Sequence, residues 1–334
     1  MNNEERLFFR ELLFAKKRIR EWYKKSTKHL TILTSPYNSN LIFKDIILEC
    51  VKNKKNVLYL WKEGKINKNI VDSLKLVRKN LSVGCYDGDY NITFGSYEEI
   101  ERIKGNFELV IFDDISSHSK LSVGELKNIY VKCSKLGKKV ILYSLDDVII
   151  EGEWFNLAPL SLEKPFVEPR IINTRVNLSD DIPYSLYEYL KWFRDEKKKV
   201  ILYVPDDKKL ENVFDYFINK VKMKNVKIIK STKEDVNLKR KVLNLKDKAI
   251  FIVTNYIEGD LKQINADEAI ILFAENSRYT YRNFVYICGG LQGTRERMPE
   301  MIMVSKDISN DMDKAKSLTR SFNKMIWEKK LISL

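Results

Sequence analysis

The chain has 334 residues, of which 44% are hydrophobic, so it is long enough for two globular domains of ordinary size. Its 60 Lys and Arg against 46 Asp and Glu give a formal net charge of +14, which favours a polyanionic partner such as nucleic acid, although a general bias towards Lys, Asn and Ile fits equally well. The four cysteines form no C-x-x-C pair, which argues against a zinc site and indicates a reducing compartment.

The first part of the chain predicts a helix followed by a parallel α/β sheet. Residues 1–27 have apolar positions at helical spacing between basic ones, and this basic face suits nucleic acid, an anionic membrane or plain solvent. Short β-like runs then alternate with helical ones. Strands are predicted at 30–34, 56–60, 81–85, 91–94, 108–112 and 139–143, and helices at 40–52, 66–78, 96–104 and 122–135.

A less regular stretch at 146–181, with three prolines among its turn signals, indicates a domain junction before the alternation starts again. Strands are predicted at 170–176, 199–204, 226–229, 249–253, 268–273 and 300–304, and helices at 184–196, 207–222, 234–245, 280–291 and 309–330. We therefore expect a first α/β domain at 28–160 and a second at 161–334, each with a parallel sheet.

The loop after the first predicted strand lies where an ATPase carries its phosphate loop. Such a loop needs glycines and a lysine, because its backbone N–H groups point at the phosphates and the lysine reaches the outer ones. Here the loop contains no lysine, and the first glycine of the chain is Gly64. We interpret the loop as a vestigial phosphate loop with the polar residues Ser35, Asn38, Ser39 and Asn40.

The run at 107–116 is an apolar strand that ends in Asp113 and Asp114. Acids at this place reach the carboxyl edge of an open α/β sheet, where ligands bind. In a nucleotide motor the first acid holds magnesium through water and the second, normally glutamate, orients the attacking water. Asp114 is one methylene shorter, and a displacement of about an ångström can cost about 10²-fold in rate. The simpler interpretation is a pair of acids that begins a loop.

Several segments in this order resemble superfamily 2 DNA helicases, and among these most of all the competence DNA-uptake helicases of the ComFA type. The resemblance covers residues 28–330 and implies two tandem RecA-like domains. Because the sequence has no apolar run of about 18 residues and residues 1–6 do not resemble a secretory signal, we expect a cytoplasmic protein, either free or held at a membrane DNA-uptake complex by a partner. The matching segments are 107–116, 168–170, 200–205, 249–259, 266–272 and 286–293.

The departures from this family fall on the residues that do its chemistry. The glutamine and first arginine of the last motif align with Tyr286 and Gly290, and the second arginine aligns with Gly293. Arginine fingers are worth about 10³ to 10⁵ in rate. Arg295 or Arg297 would replace them only after a shift of the loop. The resemblance is therefore to a degenerate form that lacks both the phosphate loop and the fingers.

The resemblance also implies positions at which such motors grip the phosphates of a single strand. A helix-capping role is the alternative for each hydroxyl among them. The matching residues are Ser96, Tyr97, Ser231, Thr232, Thr254 and Asn255, with Arg278 and Arg282 adding positive charge.

These observations together predict a non-catalytic protein that binds single-stranded DNA, or proteins of a competence or recombination complex, and that needs no cofactor or metal. The first alternative is an atypical ATP-dependent translocase, in which Asp113 and Asp114 hold Mg²⁺ and backbone amides of the loop hold ATP. The second is a protein–protein adaptor without nucleic-acid binding.

Overall fold

The computed structural model describes residues 3–86, 88–119, 121–160, 164–232, 248–257, 265–291 and 297–331, with side chains from residue 8 onward. The chain divides into two compact units, one of Met1–Pro165 with Lys324–Leu334 and one of Phe166–Asn323. No helix in the described ranges is long and apolar enough to cross a membrane.

The first unit is built on a parallel sheet that has seven strands within the described residues. These are β1 (His29–Leu33), β2 (Val57–Trp61), β3 (Val83–Cys85), β4 (Ile92–Ser96), β5 (Phe107–Asp113), β6 (Gly137–Ser144) and β7 (Glu153–Asn156). Their order across the sheet is β3-β4-β2-β5-β6-β1-β7, and all pairs are parallel. Strands β2, β5 and β6 are almost entirely buried, which explains their continuous apolar runs.

Helices connect these strands and cover the sheet. Helix α4 (Val123–Leu136) begins with a capping box, in which Ser122 and Glu125 each bond the other's backbone N–H. Helix α1 (Asn3–Lys24) buries Leu12, Ala15, Ile19 and Trp22, and so belongs to the core of this unit. The helices are α1 (Asn3–Lys24), α2 (Lys44–Lys52), α3 (Lys68–Lys75) and α4 (Val123–Leu136), with 3₁₀ turns at Asn40–Phe43 and Tyr97–Arg102.

The second unit repeats the same plan with a parallel sheet that has six strands in the described residues. These are β8 (Pro169–Asn173), β9 (Lys199–Tyr203), β10 (Val226–Ser231), β11 (Ala249–Thr254), β12 (Glu268–Leu272) and β13 (Met301–Ser305). Their order across the sheet is β10-β11-β9-β12-β13-β8. Its helices are α5 (Tyr184–Asp195), α6 (Asp207–Tyr216) with a π turn at Phe217–Val221, α7 (Tyr281–Gly290) and α8 (Asn310–Glu328).

The structure differs from the sequence-based expectations in three places. The helix predicted at 96–104 is a 3₁₀ turn, Tyr97–Arg102, because Glu99 has non-helical backbone dihedrals (φ −111°, ψ 22°). Strand β7 lies inside the stretch that we interpreted as the junction. It has only four residues, with Trp154 and Phe155 at its centre, and lies at the edge of the sheet, so its apolar pattern is too short to indicate a strand. Residues Lys324–Leu334 group with the first unit, where Ile326 and Leu331 pack on Ala158, whereas we expected the whole of 161–334 to form one domain. The helix predicted at 234–245 lies outside the described residues.

Candidate functional site

The loop between β1 and the turn at Asn40–Phe43 is held in place by hydrogen bonds of the Asn38 side chain, which is 3% exposed. The Asn38 amide donates from Nδ2 to Thr34 Oγ1 (2.6 Å) and to the Ala158 carbonyl (3.0 Å). Its Oδ1 accepts from the N–H groups of Ser39 and Leu160, each at 2.8 Å. An asparagine side chain has two N–H donors and two acceptor lone pairs, so its bonding capacity is filled.

Three backbone N–H groups of this loop, those of Tyr37, Ser39 and Leu41, also donate to acceptors of the chain. Tyr37, whose φ of 58° is left-handed, donates to the Ile115 carbonyl at 3.0 Å. The Leu41 N–H donates to Ser39 Oγ at 3.3 Å, and the Ser39 N–H donates to Asn38 Oδ1. A phosphate loop directs these groups at the ligand instead. Of the other two predicted loop residues, Ser35 is buried and Asn40 is half-buried at the start of the 3₁₀ turn.

Asp113 ends β5 and is 1% exposed, with four donors on its carboxylate. Its Oδ1 accepts from the N–H groups of Ile115 (3.0 Å) and Ser116 (2.9 Å). Its Oδ2 accepts from Ser116 Oγ at 2.5 Å and from the Tyr59 hydroxyl on the neighbouring strand β2. Burial raises the pKa of Asp113, while the hydrogen bonds act in the opposite direction. The carboxylate is thus part of a closed polar network at the strand end.

Asp114 is equally buried, and its backbone N–H donates to the Tyr143 carbonyl at 3.0 Å. Burial and then the charge of Asp114 raise the pKa of Tyr97, which places these two side chains near each other. The ring of Tyr97 lies 5.6 Å from that of Phe112 inside the core. Ser96 caps the turn that follows it, because its Oγ accepts from the Glu98 N–H at 3.1 Å and donates to the Lys62 carbonyl at 3.1 Å.

In the second unit the ends of β10 and β11 carry the other predicted contacts. Ser231 is buried, whereas the next residue, Thr232, is exposed. Thr254 is buried and its Oγ1 accepts from the Tyr256 N–H at 3.0 Å. Asn255 is half-buried and donates from Nδ2 to Asp207 Oδ1 at 2.6 Å, at the start of α6. Thr232 and Asn255 are therefore the accessible members of this group.

The predicted arginines have different surroundings. The guanidinium of Arg278 donates to the carbonyls of Pro205 and Asn255 and so joins the loops that follow β9 and β11. Arg282 is 3% exposed within α7. The Arg297 guanidinium carbon lies 3.4 Å from the ring centroid of Trp192, and its Nη1 lies 3.4 Å from Glu196 Oε2.

Arg297 lies apart from the predicted DNA contacts of the second unit. It precedes β13, at the amino edge of the second sheet, which is opposite to the edge that carries Thr254 and Asn255. Arg295 lies outside the described residues. Among the residues that the structure describes, no group of three or more His, Cys, Asp or Glu is placed to hold a metal ion.

Sequence reasoning missed three features of these strand ends. Tyr59 has a weak signal, because it is a hydroxyl within the otherwise apolar strand 57–61 beside the strand that carries the acids. The segment 157–160 has no local signal, since its bonds to Asn38 join residues 120 and 122 positions apart. Lys208, exposed in the first turn of α6, is a further cation at the carboxyl edge of the second sheet.

Comparison with known proteins identifies the fold. No family model matches the chain, and no curated protein sequence does. Solved structures with a similar fold include RecG bound to a three-way DNA junction, at a TM-score of 0.55 and 12% identity over 96% of this chain and 46% of that one. They also include the DUF1998 helicase MrfA bound to DNA, at a TM-score of 0.52 and 13% identity over 93% of this chain and 51% of that one.

The predicted fold class is confirmed. The chain has a helicase-like fold of two tandem RecA-like units, each with a parallel sheet, and a helix near each end. It spans about half the length of the two proteins, which are 46% and 51% covered.

Proposed function

We propose that this protein is a helicase-like protein that binds single-stranded DNA and does not hydrolyse ATP. The observation that carries the proposal is the closed loop after β1. Asn38 uses its full bonding capacity on the chain, and the N–H groups of Tyr37, Ser39 and Leu41 donate to internal acceptors. The loop has no glycine or lysine to replace them. These residues do not fit the phosphates of a nucleotide.

The acidic pair supports the same proposal. A carboxylate that positions hydrated Mg²⁺ must present oxygen lone pairs to the ion's water ligands. Both oxygens of Asp113 already accept two hydrogen bonds each from the chain, and the side chain is 1% exposed. The role of Asp113 that we infer is to fix the turn after β5 and to tie it to β2 through Tyr59.

The DNA part of the proposal rests on charge and on the fold. The net charge of +14 favours a polyanion. The two structures with similar folds contain bound DNA. The carboxyl edge of the second sheet offers Thr232, Asn255 and Lys208 to a strand. The likeness of the sequence to competence helicases suggests a cytoplasmic role in DNA uptake or recombination, with protein partners from such a complex.

The experiment is a titration of labelled oligothymidine into the purified protein at several salt concentrations, repeated with ATP and Mg²⁺ present. We expect saturable binding whose affinity falls steeply with salt and does not change with nucleotide. An affinity for DNA that depends on ATP would support the atypical translocase. Absence of saturable DNA binding, with a folded protein by circular dichroism, would reject the proposal in favour of an adaptor.

A further inference from the structure

A cavity of about 620 Å³ lies in the second unit beside helices α5 and α6. It is bounded by the loop that precedes α5, by the first turn of α5, and by the end of α6 with its π turn. The side chains that give it chemical character are Asp180, Asp181, Tyr184, Tyr187, Tyr216 and Lys220.

Hydrogen bonds hold the backbone of this loop and its two carboxylates in place. The Asn177 carbonyl accepts from the N–H groups of Asp180 (2.9 Å) and Asp181 (3.0 Å). The Asn177 amide donates to Asp180 Oδ2 at 2.6 Å. Asp181 Oδ1 accepts from the N–H of Ile182 at 2.8 Å, which closes the turn before α5. The two acids are thus part of an ordered wall.

Tyrosines form the other walls. The Tyr216 hydroxyl donates to Asp181 Oδ1 at 2.5 Å, and burial together with this carboxylate raises the pKa of Tyr216 to about 12. Tyr184 is 76% exposed, so its ring is not part of the core. Tyr187 is half-buried one helical turn further along α5. The cavity therefore combines aromatic rings with carboxylates, which is the composition of sites for cationic groups.

An ammonium group of the chain already uses part of this chemistry. Lys220 Nζ lies 5.7 Å from the centroid of the Tyr216 ring and 3.5 Å from the Asp180 carbonyl oxygen. A second ammonium, that of Lys191, lies 5.8 Å from the centroid of the Tyr187 ring, but its charge is offset by Glu188 at 3.0 Å. The carboxylates of Asp180 and Asp181 against Lys220 therefore leave the cavity acidic in a chain whose net charge is +14. Phosphates would be repelled by Asp180 and Asp181, so a basic protein segment complements the cavity better than DNA does.

We propose that this cavity binds a lysine or arginine side chain of a partner protein, with the cation between the tyrosine rings and the carboxylates of Asp180 and Asp181. The site is made of helices and a loop of the second unit, and none of its residues belongs to the loop after β1 or to the strand ends. If the cavity binds no cation, the proposed DNA binding is unaffected. If the protein binds no DNA, the proposal for the cavity is unaffected.

The test uses the full chain with 3-fluorotyrosine in place of tyrosine and follows ¹⁹F spectra during titration with the tripeptide acetyl-Gly-Lys-Gly-amide. The Tyr184 and Tyr216 signals are assigned from the variants Tyr184→Phe and Tyr216→Phe. We expect these two signals to shift saturably in the millimolar range, and the same peptide with norleucine in place of lysine to leave them unchanged.

Single substitutions separate the contribution of the Tyr184 ring to peptide binding from that of the Asp181 charge. Tyr184→Ala should weaken peptide binding about two- to fivefold, as expected for an exposed cation–π contact, whereas Tyr184→Phe should retain it. Asp181→Asn should weaken it several-fold, and Asp195→Asn, an exposed acid at the other end of α5, should not. Equal shifts with norleucine, no shift at all, or shifts caused by oligothymidine instead of the peptide would overturn the proposal.

Discussion

The carboxyl edges of the two sheets use their polar residues in different ways. In the first unit Asn38 and Asp113 each have four hydrogen bonds to the chain and are 3% and 1% exposed. In the second unit Asn255 has one side-chain bond within the described residues, to Asp207, and Thr232 and Lys208 are exposed. The comparison indicates that the polar residues of the first edge stabilise the fold, while among the described residues of the second edge Thr232 and Lys208 keep exposed side chains.

The largest expected effect follows from Asp113→Ala. The change leaves two N–H groups and two hydroxyls without their acceptor, and we expect the free energy of unfolding to fall by about 3–5 kcal/mol. Tyr59→Phe removes one of the four donors and should cost about 1–2 kcal/mol. Urea denaturation measures both. A stable Asp113→Ala protein would mean that the carboxylate is not structural and would remove the contrast between the two edges.

Asn38→Ala should lower the free energy of unfolding by about 2–4 kcal/mol, because the Leu160 N–H and the Ala158 carbonyl lose their partner. Asn40→Ala is the matched control in the same loop, and we expect it to cost less than about 0.5 kcal/mol. The same denaturation assay applies. Equal effects of the two substitutions would contradict the special role of Asn38.

Glu268 offers a contrast to Asp113, because this buried acid at the start of β12 has few compensating bonds. Burial raises the pKa of Glu268 to about 7. The hydrogen bond from the Glu300 N–H and the Lys198 ammonium, 3.9 Å away, lower this pKa but do not offset the effect of burial. The folded state therefore binds its proton more tightly than the unfolded state, and stability falls as pH rises from about 4.5 to about 7.

Glu268→Gln should remove this pH dependence. We expect the variant to be about 2–3 kcal/mol more stable than the parent at pH 8 and equally stable near pH 4.5. Thermal unfolding across this pH range provides the measurement. Parallel stability curves for the two proteins would show that Glu268 titrates normally.

The smallest expected effect concerns the open edge. Lys208→Ala should weaken oligothymidine binding a few-fold and reduce the salt slope by about one. Lys224→Ala is the matched control, since Lys224 is exposed before β10, at the amino edge of the same sheet. Fluorescence anisotropy at several salt concentrations distinguishes them. The same slope for both variants would place the DNA elsewhere.

The sequence was sufficient for every described strand except β7, and insufficient for the site. Strands such as β2, β5, β9 and β11 are continuous apolar runs because both faces of a parallel sheet are covered, and this pattern is local. The hydrogen bonds of Asn38 join it to residues about 120 positions away, and no local sequence pattern contains that information. Likewise, the motif spacing placed Asp113 at the strand end, but the Tyr59 hydroxyl that binds it comes from a neighbouring strand.

The central claim is that the loop after β1 no longer binds a nucleotide. Isothermal titration of ATP with Mg²⁺ into the full chain tests it most directly, with Asp113→Asn as a variant that keeps the size of the side chain. We predict only heat of dilution up to millimolar ATP for both proteins. Stoichiometric, Mg²⁺-dependent binding that Asp113→Asn abolishes would contradict the account and identify the protein as an ATP-binding motor.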